Sequence, residues 1–318
     1  MKAATESNGN LIGVTSLALG VIVFSLQDAI IKAISGEYPV TMAIVIRCLV
    51  ALPLLSYMVH REAGLSRLAS PNARILFLRG LILLVAYTTY FMALPALPLA
   101  EAISLFFTAP LIITMLSGPL LGERVSLQAW LAVIAGFIGV LIILQPGSAL
   151  FEPAALLSLV SASTYALAMV IARRIGATEP ATVMSFYQNG VYLLGAGLAA
   201  ALFELAGLPR LEHPSLDFLV RPWAAPRPVD LLLMSACGVI AAVGMFLLTH
   251  AYRSAKASLV TVFEYTGMIW GPLWGYLFFA EVPRWTTAVG TVLIILAGIY
   301  AVQTATVTKR DPTLDALS

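Results

Sequence analysis

The chain has 318 residues, 60% of them hydrophobic and 11% charged, with a net charge of +2 and a mean hydropathy of +0.94. An average soluble domain carries about 25% charged residues, so this chain lacks the polar surface to live in water, and a bilayer is its natural solvent. The small net charge, with no Lys/Arg-rich run, argues against a nucleic-acid partner, and Cys48 and Cys237 lie in apolar segments without disulfide or metal-ligand spacing.

The N-terminus, "MKAATESNGN", is too polar for a signal peptide. The apolar run behind it ends in charged residues rather than a small-residue cleavage site, so it reads as a retained first span. A helix crosses the hydrocarbon with about 20 mostly apolar residues. Such stretches sit near 11–33, 38–58, 75–94, 100–121, 127–145, 153–172, 181–203, 230–250, 257–279 and 285–305. The sequence therefore predicts an all-α integral membrane protein of ten transmembrane helices. Most connections are short turns marked by Gly, Pro or a charge. The exception is the Pro-rich, mixed-charge loop at about 204–229.

Charge placement sets the orientation. With the N-terminus inside, cytoplasmic segments carry Lys2, Arg61, Arg67, Arg74, Arg124, Arg173, Arg174, Arg253, Lys256, Lys309 and Arg310. The outer side keeps Lys32, Arg210, Arg221, Arg227 and Arg284, while Arg47 and Arg79 fall inside spans. Both termini are expected in the cytoplasm, with the long loop outside.

The chain also repeats itself. A shift of 158 residues lays Gly80 on Gly238, Ala93 on Ala251, Thr108 on Thr266 and Glu123 on Glu281 without a gap. The two acids end comparable segments, "GPLLGERV" and "GYLFFAEVP". Five spans precede five more, and an odd number per copy inverts the second in the membrane, a common construction of secondary transporters. The halves are 1–150 and 151–307, followed by a cytoplasmic tail at 308–318.

Several charges and rings lie within the spans. In "FSLQDAIIKAI", Asp28 has two cations in prospect: Arg47 at similar depth on the next span, and Lys32 at i+4. Either they form a self-contained salt bridge, or they gate an aqueous path or bind a charged substrate group. Glu264 is the best single candidate for a protonatable or substrate-binding carboxylate. Arg79 either snorkels to the headgroups or joins Gln188, in "SFYQNG", on the cytoplasmic side of a site. Tyr87 and Trp270 sit near mid-span, where an interfacial belt does not explain them, and aromatic faces take flat rings or cations. Tyr90 and Trp274 lie nearer the outer interface. Glu101 is placed at the outer surface beside water. Glu123 and Glu281 are expected to tie neighbouring helix starts together by accepting backbone N–H bonds.

With two five-span halves and a Gly-Glu or Ala-Glu ending the fourth span of each, the chain resembles the drug/metabolite transporter superfamily, EamA type. The segments "FLRGLILLVAYTTYFMALPALPLAEAISLFFTAPLIITMLSGPLLGE" and "AYRSAKASLVTVFEYTGMIWGPLWGYLFFAE" most resemble S-adenosylmethionine or riboflavin transporters. That resemblance implies a central cavity lined by spans 1–4 and 6–9, with spans 5 and 10 at the rear, where homodimer contacts often form. No phosphate-binding G-x-x-x-x-G-K-[ST], H-E-x-x-H or G-x-S-x-G motif is present, so neither nucleotide-driven transport nor two common hydrolase chemistries are indicated. The expectation is a cofactor-free secondary carrier of a small polar or amphipathic metabolite in a bacterial inner membrane. Asp28, Arg47, Arg79, Tyr87, Gln188, Glu264 and Trp270 are its substrate-binding or gating residues. An amino-acid or drug exporter of the same fold is the alternative, and a channel or membrane-embedded enzyme is the rival of another class.

Overall fold

The structure, a computed structural model, describes residues 2–122, 125–175, 178–254 and 265–304. The described regular structure is helical. Helix α1 (Lys2–Ile34) leads into α2 (Val40–Glu62), α3 (Ala73–Ala93), α4 (Leu99–Phe106) and α5 (Ala109–Leu121), and then α6 (Leu127–Leu144). The second half has α7 (Ala154–Ile175), α8 (Ala181–Ala206), the short α9 (Pro214–Val220), α10 (Pro228–Ser254), α11 (Gly267–Phe279) and α12 (Trp285–Thr304). Prolines set several starts. Pro39, Pro98 and Pro180, with ψ near 152°, 142° and 145°, precede α2, α4 and α8 in extended backbone. Ser126 caps α6 by accepting the Ala129 N–H at 3.1 Å.

Eight helical stretches among the described residues are long and apolar enough to cross a membrane. The other two expected spans are described in part or by a shorter stretch. Residues 255–264 lie outside the described residues, leaving only α11 of the ninth. The tenth is α12, 20 residues long, with Trp285–Ala301 as its described apolar stretch. The span near 100–121 is one of the eight, Leu99–Leu121, but it is built of two helices, because Pro110 has no N–H to offer the Phe106 carbonyl and the Thr108 hydroxyl bonds back to the Leu105 carbonyl at 2.7 Å. A turn at Tyr265–Thr266 stands in the same place before α11. The long connection is not an open loop either: it contains α9, started by Pro214 at its first position with the His213 ring accepting the Ser215 N–H.

Helices of the two halves interleave. Helix α1 packs on α10, α3 on α7 and α8, α2 on α8 and α10, α4 on α11, and α6 on α12. Two crossings depend on a missing side chain. A Cβ at Gly80 on α3 would stand 2.9 Å from Val191 Cβ on α8, and one at Gly238 on α10 would stand 2.5 Å from the Arg47 carbonyl on α2. A core running through both halves joins Ile31, Ile44, Phe91 and Leu105 to Tyr192, Phe218, Cys237 and Met268. Outside it, Leu127, Leu131, Ile134, Ile138 and Leu141 form an exposed stripe on α6, at the spacing of one helical face. In a bilayer such a stripe meets lipid at no cost.

Candidate functional site

Arg47 is the centre of the site. Only 2% of it is exposed. Its Nε donates to Gln27 Oε1 on α1 at 3.2 Å, and its Nη1 to Asn189 Oδ1 on α8 at 3.4 Å. The guanidinium also lies 5.4 Å from the Tyr87 ring centroid and 5.9 Å from that of Tyr192. Two of these groups are themselves held. Asn189 donates to the Ser185 carbonyl at 2.9 Å, Tyr192 to the Leu83 carbonyl at 3.1 Å, and Gln188 Nε2 to the Tyr192 hydroxyl at 3.1 Å. Four helices thus converge on one cation. Among the described residues no carboxylate lies within ion-pair distance of it. Amide dipoles and aromatic faces offset part of its burial, at about 0.5–2 kcal/mol for each cation–π contact. An uncompensated buried charge still costs several kcal/mol.

Asp28 sits on α1 beside Gln27 and is half-buried. Its Oδ2 accepts the Tyr90 hydroxyl at 3.0 Å. The Tyr90 ring lies 5.0 Å from Phe106, which in turn lies 5.2 Å from Tyr165 on α7. Neither cation anticipated for Asp28 pairs with it. Arg47 turns to the amides, and Lys32 Nζ lies 2.6 Å from Glu281 Oε1 while also donating to the Leu97 carbonyl. Proximity along α1 favours Lys32, but Glu281 and the free carbonyl at the α3–α4 turn offer it two acceptors at once.

The remaining expected residues divide. Tyr87 and Gln188 belong to the Arg47 cluster. Arg79 is 7% exposed and donates to the Ala168 carbonyl at 3.3 Å, so it is buried against α7 and does not snorkel. Trp270 stacks on Trp274 at 5.7 Å, and no ring contact joins it to Tyr87. Trp274 is not a bystander at an interface. Its indole N–H donates to Ser25 on α1 at 2.9 Å. Glu264 and Glu123 lie outside the described residues. Tyr192, Gln27 and Asn189 join the site without being among the residues the sequence singles out. A signal existed for Tyr192, which stands one turn beyond Gln188 and Asn189 on the same face of α8.

Polar ties close both ends of the helix bundle. At the Leu97 end, Glu281 Oε2 accepts the Leu99 N–H at 2.9 Å, so this acid does join a helix start as expected. Glu101 is not at a wet surface: it is 2% exposed and bonded by Arg284 at 2.7 Å. Beside them Arg221 pairs with Asp217 and donates to the Ser35 carbonyl at 3.0 Å, and Trp223 donates to Thr41 at 3.0 Å. Burial works to raise the Asp217 carboxyl, but the Arg221 guanidinium and the Leu211 N–H outweigh it and hold that group below the usual range. At the opposite end Glu179 accepts Ser70 at 2.5 Å and Asn72 at 2.8 Å, Thr182 donates to Glu62 at 2.8 Å, and Tyr187 to the Leu68 carbonyl at 2.6 Å. No cluster of His, Cys, Asp or Glu able to hold a metal occurs among the described residues.

Comparison with known proteins gives this geometry a context. Residues 11–145 and 152–303 each match the model of the EamA-like transporter family. The chain is similar to the pseudopaline exporter CntI of Pseudomonas aeruginosa PAO1, 30% identical over 288 residues, spanning 90% of this chain and 94% of that one. It is also similar to a riboflavin transporter of Rhizobium johnstonii, 27% identical and spanning 97% of both chains. An S-adenosylmethionine uptake transporter of Rickettsia bellii is 25% identical over 79% of each. A chain of known crystal structure shares the fold with a TM-score of 0.59 at 20% identity, covering 96% of this chain and 99% of that one. The named relatives are transporters, not enzymes.

Proposed function

The chain belongs to the EamA-like transporter family, and on that premise we propose that it is a ten-span secondary carrier that moves a small polar or amphipathic metabolite across a bacterial inner membrane by alternating access. Its two halves, 1–150 and 151–307, are inverted copies, and both termini face the cytoplasm. The observation that carries the reading is the Arg47 cluster, a buried polar centre to which α1, α2 and α3 of one half and α8 of the other all contribute. Ionisable groups held inside a bundle of spans mark substrate paths. Asp28, Arg47, Arg79, Tyr87, Gln188, Glu264 and Trp270 remain the substrate-binding or gating set.

The inversion has its own support. Exchanging the halves maps the α3–α8 crossing at Gly80 onto the α10–α2 crossing at Gly238. It also maps the break at Thr108 onto that at Thr266, and the left-handed residue after α5, Gly122, onto the one after α11, Ala280. The ties at the two ends join one half to the other, as gates that open in turn require. Opening one end breaks its hydrogen bonds while the other keeps its own.

The substrates named for the relatives divide between export and uptake, so the test must not depend on direction. Solute counterflow in proteoliposomes preloaded with S-adenosylmethionine, riboflavin or amino acids meets that need. Accumulation of labelled solute that requires the same solute inside supports a carrier. Equal entry into preloaded and empty vesicles indicates a channel, and would end the alternating-access reading. An amino-acid exporter of the same fold is the second reading, favoured by the buried guanidinium.

A further inference from the structure

Two opposite charges lie inside the bundle, and neither uses the other. Arg47 is met by amide oxygens and aromatic faces. Asp28 is met by a hydroxyl. Lys32, the nearest alternative cation along α1, is committed to Glu281 and the Leu97 carbonyl. A chain selected only for stability would pair the two ions or replace both with apolar groups, since well-packed apolar substitutes for buried ions are often neutral or stabilising. The partners chosen instead orient each charge without neutralising it. Neutral amides steer the guanidinium fork, and a phenol leaves the second carboxylate oxygen of Asp28 without a hydrogen bond among the described residues.

We propose that Arg47 and Asp28 are the two poles of a site for a zwitterion: the Arg47 guanidinium takes a carboxylate, and Asp28 with Tyr90 takes an amine or other cationic group. The inference rests on the carrier reading above and deepens it by naming the substrate class, an amino-acid-like metabolite rather than an uncharged one. The two poles draw on neighbouring residues of the same two helices. Gln27, which holds Arg47, adjoins Asp28 on α1, and Tyr87 and Tyr90 lie three residues apart on α3, a rise of about 4.5 Å. Aromatic rings stand beside both poles: Tyr87, next to Arg47, meets Phe91 at 5.6 Å and Tyr192 at 5.3 Å, and Tyr90, bonded to Asp28, meets Phe106 at 5.0 Å. Guanidinium and carboxylate form a bidentate fork, which gives an acid an advantage over its ester beyond charge alone. A zwitterion fills both poles and brings no net charge into the bundle.

The experiment is a thermal-shift titration of the purified full-length chain. The ligands are amino acids and their derivatives, S-adenosylmethionine included, each beside its carboxyl methyl ester and its decarboxylated amine. Riboflavin serves as the uncharged flat control. At least one free zwitterion is expected to raise the melting temperature, with its ester and its amine at least tenfold weaker. Arg47→Gln should abolish the response without lowering the melting temperature of the empty protein, whereas a purely structural arginine would destabilise it. Arg47→Lys should retain a weakened response, because it keeps the charge and loses the fork. Glu264→Gln tests the rival counterion. If it lowers the empty protein's melting temperature and Arg47→Gln restores it, the chain pairs Arg47 itself and the proposal fails. It also fails if esters or riboflavin stabilise as well as the acids do, or if no zwitterion stabilises at all. Counterflow separates this inference from the carrier reading. A bound zwitterion that never exchanges overturns transport and leaves the site, while exchange of uncharged solutes alone does the reverse.

Discussion

Lys32 Nζ stands 2.6 Å from Glu281 Oε1, fastening the end of α1 to the residue two beyond α11. Both side chains are largely buried, at 11% and 21% exposure, and Glu281 also holds the Leu99 N–H. Removing one member therefore strands the other. Glu281→Ala should cost about 3 kcal/mol, the lower end of what a broken buried pair loses. Lys32→Met combined with Glu281→Met should recover most of that loss. A double-mutant cycle on chemical or thermal unfolding in detergent checks it, and additive single effects would show that the pair contributes nothing of its own.

The sequence made the solvent, the repeat and several polar residues legible, because each leaves a local mark. A span is a run of apolar residues, and a repeat is a shared offset. Partner choice leaves no such mark. Asp28 and Lys32 occupy i and i+4, and nothing in that spacing says that Lys32 will prefer Glu281, 249 positions away. Arg79 looked free to snorkel because its depth was read along one helix, whereas its Nε reaches the Ala168 carbonyl on another. Glu101 looked wet for the same reason, and Arg284 covers it. The break at Thr108 was legible in principle from Pro110, but the uninterrupted apolar run across it masked that signal.

Gly238 links packing to the site. A Cβ there would meet the Arg47 carbonyl at 2.5 Å and Val50 Cβ at 2.7 Å, and a backbone oxygen cannot step aside like the tip of a side chain. Gly238→Ala should push α2 from α10, costing about 1–3 kcal/mol by overpacking. It should also displace the guanidinium from its two amides. The expected result is a folded but destabilised protein whose affinity for transported solute falls more than its expression. A melting temperature and solute affinity equal to those of the parent would show that α2 does not depend on this crossing.

The ends of α5 and α11 make a comparison within one chain. Gly122 and Ala280 both turn left-handed, with φ of 70° and 54°. Glycine takes that conformation freely, whereas a Cβ strains it. Ala280→Gly is therefore expected to stabilise the protein by about 0.5–1 kcal/mol, despite the larger entropy of its unfolded chain. Gly122→Ala should destabilise by about 1 kcal/mol, and no steric term complicates it, since nothing lies within 4 Å of the new Cβ. Opposite signs in paired unfolding curves are the check. Equal signs would mean that backbone conformation is not what separates the two sites.

The pH response of the α9 segment follows from Asp217. Its carboxyl lies below the ordinary range in the folded chain, held there by Arg221 and the Leu211 N–H against the opposing effect of burial. A group with a depressed folded pKa contributes stability above its unfolded value and loses it as pH falls through the folded value. The docking of α9 on the α1–α2 turn, made through the Arg221 bond to the Ser35 carbonyl, should therefore hold steady from about pH 5 to 8 and weaken below about pH 4. Hydrogen exchange in residues 211–223 is the measurement: protection should decline in acid in the parent protein and be low at every pH in Asp217→Asn. Protection in the variant that matches the parent at pH 7 would mean that Arg221 holds this segment through Ser35 without its acid.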